Sequence, residues 1–136
     1  MSMNLLSKIG LVALGSSIGG LARWAVSVLA YRSFGSNFPW GTLLVNTVGC
    51  LFIGWFSAFL KQRLASGEGV WLSADDLRLL LAVGFVGAFT TFSTFEYEAH
   101  GMIKDDQTLK GMLYVCGSVV LGFLCVRWGE LLANWK

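Results

Sequence analysis

The chain has 136 residues, 55% of them hydrophobic and 13% charged, with a formal net charge of +2 and a mean hydropathy of +0.66. A soluble domain carries roughly 25% charged residues, so this composition places the chain in a lipid bilayer, as one domain spanning residues 1–136. The small net charge and the lack of a basic tract argue against a nucleic-acid partner, and no nucleophile–base pair, phosphate loop or dinucleotide fingerprint marks an enzyme.

A membrane-spanning helix needs about 20 mostly apolar residues. Four segments qualify, at about 5–30, 40–60, 76–102 and 109–132. The N-terminus, Met-Ser-Met-Asn-Leu-Leu-Ser-Lys-Ile-Gly, leads into the first apolar run without a clear small-residue cleavage site, so it is read as a retained first helix. Within that span, Gly15-Ser16-Ser17-Ile18-Gly19-Gly20 is glycine-rich, but no Lys-Ser/Thr follows it as a phosphate loop requires. Gly15/Gly19 and Ser16/Gly20, with Cys50/Gly54 in the second span, have the small-xxx-small spacing that lets helix backbones approach. Both packing within the chain and a dimer interface are consistent with it. Arg23 lies late in the first span, where a cation near the bilayer centre costs roughly 2.5–3.5 kcal/mol. It either snorkels to the interface or faces a watery vestibule that draws anions in.

Residues 34–39 read as a turn, with Pro39 suited to the first turn of the second helix. In that helix Thr42, Asn46 and Gly49 share a face. An amide in lipid needs a partner. Asn46 has two options: an interhelical hydrogen bond worth about 0.6–2 kcal/mol, or an NH₂ group aimed into a pore. Lys61 to Ser73 reads as a loop containing Gly67 and Gly69, and Ser73 as an N-cap followed by Asp75 and Asp76 in the first turn of the third helix.

The third span is the most informative. No charge occurs from Leu79 to Phe95, yet Gly84-Phe85-Val86-Gly87-Ala88-Phe89-Thr90-Thr91-Phe92-Ser93-Thr94-Phe95 weakens helix propensity with two glycines and adjacent β-branched threonines. A break is expected there. Backbone left unpaired at membrane depth is tolerated only where protein buries it or a polar cavity meets it, and such breaks mark ion or substrate sites. Phe85, Phe89, Phe92 and Phe95 recur at helical spacing, as core or as rings whose positive edges meet an anion. Glu96 and Glu98 close the cluster as acids at the mouth of the helix. On the fourth helix the hydroxyls of Tyr114 and Ser118 share a face, and either line a path or bond their own backbone. Cys50, Cys116 and Cys125 lie in apolar runs with no zinc spacing and read as packing residues. His100, the sole histidine, has no evident partners. Trp40, Trp71, Trp128 and Trp135 fall near span ends, as interfacial aromatics do.

Orientation is weakly specified. Lys8, Lys61, Arg63, Arg78, Arg127 and Lys136 lie toward one side, Arg23, Arg32, Lys104 and Lys110 toward the other. This balance suggests insertion in both orientations and an antiparallel dual-topology homodimer.

Three blocks together resemble the Fluc (CrcB) fluoride channels of bacteria: Gly19-Gly20-Leu21-Ala22-Arg23, Pro39-Trp40-Gly41-Thr42-Leu43-Leu44-Val45-Asn46, and Gly84 to Phe95 with Glu98. The resemblance covers the first three spans well and the fourth loosely. It implies an all-α membrane protomer of four helices, the third broken mid-membrane, in an antiparallel homodimer with two fluoride pores in the bacterial inner (plasma) membrane. It also implies a structural Na⁺ at the dimer centre, held by backbone carbonyls at the positions of Gly87 and Thr90. Pore positions map to Asn46, Phe92, Ser93, Thr94, Phe95, Tyr114 and Ser118. Arg23 would belong to a vestibule and Glu98 to a pore mouth. Gly122 stands where the family often has another hydroxyl, and Glu96 where a small polar residue is common. The rival reading is a proton-coupled small exporter of the small-multidrug-resistance type, which needs an acid in the middle of the first span, where this chain carries Arg23. A second rival is a non-transporting membrane subunit.

Overall fold

The computed structural model describes residues 4–65 and 73–135, and every regular element among them is helical. These elements are α1 (Leu5–Phe34), α2 (Trp40–Ala65), α3 (residues 74–89), α4 (Phe92–Lys104) and α5 (Thr108–Ala133). Together α3 and α4 make one interrupted span, so four helical spans are long and apolar enough to cross a bilayer.

Local chemistry sets the ends. Asn4 caps α1 by accepting the Ser7 N–H at 2.9 Å. The helix runs unbroken past Arg23 to Gly35, whose φ of 75° turns the chain and whose N–H returns to the Tyr31 carbonyl at 2.9 Å. Pro39 precedes α2, and its carbonyl accepts from Leu43 at 3.1 Å. Lys61, Gln62 and Arg63 belong to the last turns of α2 rather than to a loop, because the helix continues to Ala65. Gly67, Gly69, Trp71 and Lys136 lie outside the described residues. Ser73 caps α3 as expected: its hydroxyl accepts the Asp76 N–H at 3.1 Å and donates to the Asp76 carboxylate at 2.6 Å. Between α4 and α5, Asp106 takes a φ of 58° while Gln107 N–H bonds the Met102 carbonyl at 2.8 Å and Asp106 N–H the Ile103 carbonyl at 3.3 Å. That pair of bonds is the Schellman closure of a helix C-terminus.

One feature of α3 has no counterpart in the sequence pattern. Ala74–Leu77 and Gly87–Phe89 are α-helical, but Arg78–Val86 between them is π-helical. The widened turns lie against α1 where the two backbones nearly touch. A Cβ on Gly15 would fall 2.1 Å from the Leu80 carbonyl oxygen, and one on Gly19 would fall 2.2 Å from that of Phe85. A second glycine seam joins α2 to α5: a Cβ on Gly54 would lie 2.2 Å from the Val126 carbonyl oxygen. The small-xxx-small pairs Gly15/Gly19 and Cys50/Gly54 thus serve packing inside the protomer. Van der Waals packing is the main attraction between helices in lipid, so such close seams carry the fold.

The buried cluster Phe95, Ala99 and Tyr114 joins α4 to α5, with Phe38, Leu43, Met102 and Val115 packed on it. Trp24, Phe123, Trp128 and Trp135 are exposed on the single chain, as lipid- or interface-facing residues would be.

Gly54→Ala should lower the stability of the detergent-solubilised protein by about 1–3 kcal/mol through overpacking, read from its thermal unfolding. Gly20→Ala, with no atom within 4 Å of the added carbon, should leave the protomer's own packing intact.

Candidate functional site: a clamped helix break and its cavities

The third span is interrupted at Thr90 and Thr91, whose backbones are extended (φ −87°, ψ 162° and φ −152°, ψ 115°). This lies inside the stretch that the sequence marks as weakly helical. The groups of Thr91 and the N–H of Thr90 and Thr94 find partners. Thr90 N–H and Thr90 Oγ1 both donate to the Val86 carbonyl at 3.0 Å. Thr91 N–H donates to Asn46 Oδ1 at 2.8 Å, and Asn46 Nδ2 donates to the Thr91 carbonyl at 3.1 Å. The amide therefore satisfies both backbone groups of one residue. Its orientation is dictated by the partner, since only Oδ1 can accept from Thr91 N–H. Of the two roles open to Asn46, the interhelical bond is made; the second N–H of its NH₂ remains. Thr91 Oγ1 accepts the Thr94 N–H at 3.3 Å and donates to Thr94 Oγ1 at 2.9 Å, restarting the helix as an N-cap. Beneath the break, a Cβ on Gly49 would lie 2.2 Å from Thr90 Cγ2. The Thr42–Asn46–Gly49 face of α2 is thus the surface on which the interruption rests.

The same bonds bear on a cation. In a continuous helix Thr91 N–H would serve the Gly87 carbonyl, and Thr94 N–H the Thr90 carbonyl. Asn46 takes the first donor and Thr91 Oγ1 the second. Both carbonyls lose their helical partners at the C-terminal, negative end of α3, and Gly87 is exposed on the protomer surface. A hard monovalent cation coordinated by oxygen fits this donor set, although two carbonyls are too few to replace its hydration shell. Among the described residues no group of three or more His, Cys, Asp or Glu side chains converges.

About two turns beyond the break, Glu98 links three helices. Its Oε1 accepts from Thr42 Oγ1 at 2.8 Å and its Oε2 from Tyr114 OH at 3.0 Å. Thr42 and Tyr114 are buried, Tyr114 to 2% exposure. The Tyr114 ring sits between two aromatic neighbours in edge-on geometry: Phe95 at 5.0 Å and 61°, and Phe38 at 5.3 Å and 80°. The sequence offers Glu98 no evident partner; the fold supplies two hydroxyls.

Three cavities flank these groups. A chamber of about 560 Å³ is lined by Ser27, Thr42, Thr94, Glu98 and Lys110 among others. An apolar groove of about 360 Å³ is lined by Leu43, Tyr114 and Ser118. A groove of about 290 Å³ lies beside the break and is lined by Asn46, Thr90, Thr91 and Phe92. The expected pore residues therefore form two groups. Asn46 and Phe92 are together at the break, with Phe92 74% exposed. Thr94, Glu98, Phe95, Tyr114 and Ser118 form the other group, joined to the first by the Phe92–Phe95 ring pair at 6.0 Å. Ser118 Oγ is buried with no hydrogen-bond partner, so it does not bond its own helix.

Ser93 and Glu96 are exposed, and Ser93 lines none of these cavities. Arg23 is half-buried on α1, lines none of them and makes no ion pair among the described residues. The expected phenylalanine stripe is divided by the break: Phe85 and Phe89 stack on each other at 5.6 Å, with Phe85 against Phe52 at 6.0 Å, while Phe92 and Phe95 belong to the other half. The pairing of Thr42 with Glu98 is not evident from the sequence, although the place of Thr42 on the Asn46 face is an available signal. Phe38 carries no signal beyond its place before Pro39.

Asn46→Ala leaves both backbone groups of Thr91 unpaired at membrane depth. At about 1–3 kcal/mol per unsatisfied group, the unfolding free energy should fall by about 2 kcal/mol or more, measured by denaturation in mixed micelles, with Asn46→Asp intermediate because it keeps the acceptor.

Residues 10–130 match the family model described as "CrcB-like protein, Camphor Resistance (CrcB)". Among similar curated proteins, one from Chlorobium phaeobacteroides is 42% identical over 124 residues, 91% of each chain. One from Aquifex aeolicus is 40% identical over 123 residues, 90% of this chain and 94% of the relative. One from Maridesulfovibrio salexigens is 39% identical over 123 residues, 90% of this chain and 92% of the relative. All three relatives carry the name "Fluoride-specific ion channel FluC".

Proposed function

The chain belongs to the CrcB family, and on that premise we propose that it conducts fluoride passively across a bacterial membrane, letting cytoplasmic fluoride leave and relieving its toxicity. It is a multi-pass membrane protein and not an enzyme. The observation that carries the channel reading is the set of donors left uncommitted beside the cavities, namely the second Asn46 N–H, the Thr94 hydroxyl and the unpartnered Ser118 hydroxyl, with the Phe92 and Phe95 rings between them. Fluoride is small and strongly hydrated, so leaving water requires close donors at successive positions. Neutral hydroxyls and an amide N–H supply them without the full charge that would hold an anion too tightly to pass. Phenylalanine edges at Phe92 and Phe95 add weak positive potential and set a spacing that larger anions do not fit. Fluoride enters cells as HF and ionises at neutral pH. A negative-inside potential then favours its exit by about 2.3 kcal/mol per 100 mV.

The assembly is argued from the groups that the single chain leaves incomplete. Gly87 and Thr90 would hold Na⁺ through their carbonyls, and a second copy related by a two-fold axis would bring the ligands to four. The ion's role is structural: it neutralises helix-end carbonyls that have lost their donors. The near-balanced flanking charges support insertion in both orientations and an antiparallel homodimer, with two pores lined by the 74%-exposed Phe92 of each copy. The proton-coupled exporter reading is not favoured, because no acid occurs in α1 from Leu5 to Phe34.

Proteoliposomes loaded with both halides and treated with valinomycin should release fluoride and retain chloride; equal release of the two would refute the selectivity assigned here. Phe92→Ile should slow fluoride efflux sharply while the dimer persists on size-exclusion chromatography. Thr90→Ser should keep the Na⁺ dependence of that dimer, since the ligand is the backbone oxygen. Cysteine labelling from each membrane face should find both orientations in one population.

A further inference from the structure

Helices α2 and α5 run side by side in the same direction, and their contacts fix a register. A Cβ on Gly54 would meet the Val126 carbonyl oxygen at 2.2 Å, one on Gly129 would meet that of Leu51 at 2.1 Å, and Gln62 Nε2 donates to the Ala133 carbonyl at 3.2 Å. Earlier along the same seam, a Cβ on Gly122 would stand 3.3 Å from Cys50 Sγ. The Cys50 thiol therefore occupies the space that Gly122 leaves open. Cys125 lies three residues beyond Gly122 and shares its face of α5. Its neighbour Val126 is against Gly54, so Cys125 sits at the seam between two points where the helices touch. Helical side chains lean toward the N-terminus of their own helix, which carries the Cys125 thiol back toward Gly122 and so toward Cys50. The two sulfurs are near enough that charge on one is felt at the other. Both cysteines are free and half-buried, whereas Cys116 is exposed.

We propose that Cys50 and Cys125 form a two-thiol site for a linear, thiophilic divalent ion of the Hg²⁺ class, seated between α2 and α5 at the edge of the fluoride route. Its place on the route rests on the fluoride-channel reading; the site itself does not.

The chemistry suits this depth in the bilayer. Thiolates select soft metal ions over hard ones. The thiolate is the ligand, so each S–H releases its proton to water as a metal–sulfur bond forms, and no electrons change hands. Two thiols and one divalent ion thereby give a neutral dithiolate, where a net charge within a span is strongly disfavoured. A linear ion is complete with two ligands, unlike zinc, which takes four. Among the described residues no third His, Cys, Asp or Glu converges on the pair. Access comes from the break: Cys50 lines the 290 Å³ groove together with Asn46, Thr91 and Phe92. An ion held at Cys50 stands beside the uncommitted Asn46 N–H and the Phe92 ring, and narrows the passage there.

The test uses the full-length Cys116→Ser protein, first in detergent and then in proteoliposomes, with Hg²⁺ as the probe. Binding should saturate at one ion per chain, read from metal–thiolate charge-transfer absorption. One equivalent should protect both Cys50 and Cys125 from alkylation by N-ethylmaleimide, read by mass spectrometry. In competition with a monothiol, Cys50→Ser and Cys125→Ser should each lower Hg²⁺ retention at least tenfold, because the second thiol acts intramolecularly. In proteoliposomes one equivalent should slow fluoride efflux several-fold, excess dithiol should restore it, and Cys125→Ser should remove that sensitivity. Two ions per chain, or protection of one thiol alone, would overturn the paired site. A filled pair that leaves efflux unchanged would overturn its place on the route. Binding and protection as expected in a chain that passes no fluoride would sustain the site and refute the channel reading instead.

Discussion

Everything at the centre of this protein depends on one side-chain amide replacing a turn of helix. At membrane depth an unpaired peptide group costs several kcal/mol, and water is absent to meet it. Asn46 takes both the N–H and the carbonyl of Thr91, which permits an extended segment where the bilayer would otherwise enforce a helix. The neighbouring groups are geometrically coupled to that clamp. Thr91, fixed in that pose, aims its hydroxyl at Thr94 and starts α4. Starting α4 there sets the phase of Phe92, Phe95 and Glu98 around its axis. That phase brings Glu98 to Thr42 and Tyr114. Gly49 admits Thr90 by having no side chain.

Glu98 shows how this frame accommodates a group that lipid disfavours. A carboxylate within a span costs several kcal/mol unless it is paired or hydrogen-bonded. Here no cation approaches it among the described residues; two hydroxyls donate instead, and a chamber admits water to it. The carboxyl group is therefore held by hydroxyl dipoles rather than by a locked ion pair.

Much of this is legible in the residues, for identifiable reasons. Four spans follow from hydropathy and length, and the break from the Thr90–Thr91 pair between glycines and phenylalanines, because propensity and membrane context disagree there. Asn46 is conspicuous as an amide in an apolar helix. Its choice of partner is not readable, since that depends on which helix lies across from it. The glycine pairs have two readings, and only placement assigns Gly15, Gly19 and Gly54 to seams within the protomer. Phe38 and Thr42 owe their importance to long-range closure: they meet Tyr114 and Glu98 on other helices, far along the chain, and no local pattern encodes that meeting. Arg23 stands out as a cation in an apolar span and Ser93 enters through resemblance, and the isolated chain brings neither into a cavity with the others.

The π-helical stretch Arg78–Val86 stores surplus sequence. Such turns hold more residues than α-turns over the same angle, so the segment acts as an insertion absorbed without leaving the helix. Each residue of an α-helix advances the azimuth by roughly 100°. Excising one residue there would let the stretch relax into ordinary α geometry. Because the wide turns hold the extra residue over the same angle, the Ser73-capped start would keep much of its azimuth relative to Thr90 and Thr91. A residue gained or lost in this stretch is thus taken up in the pitch of its turns, whereas one gained or lost in the α-helical Gly87–Phe89 segment would turn the break by a full step.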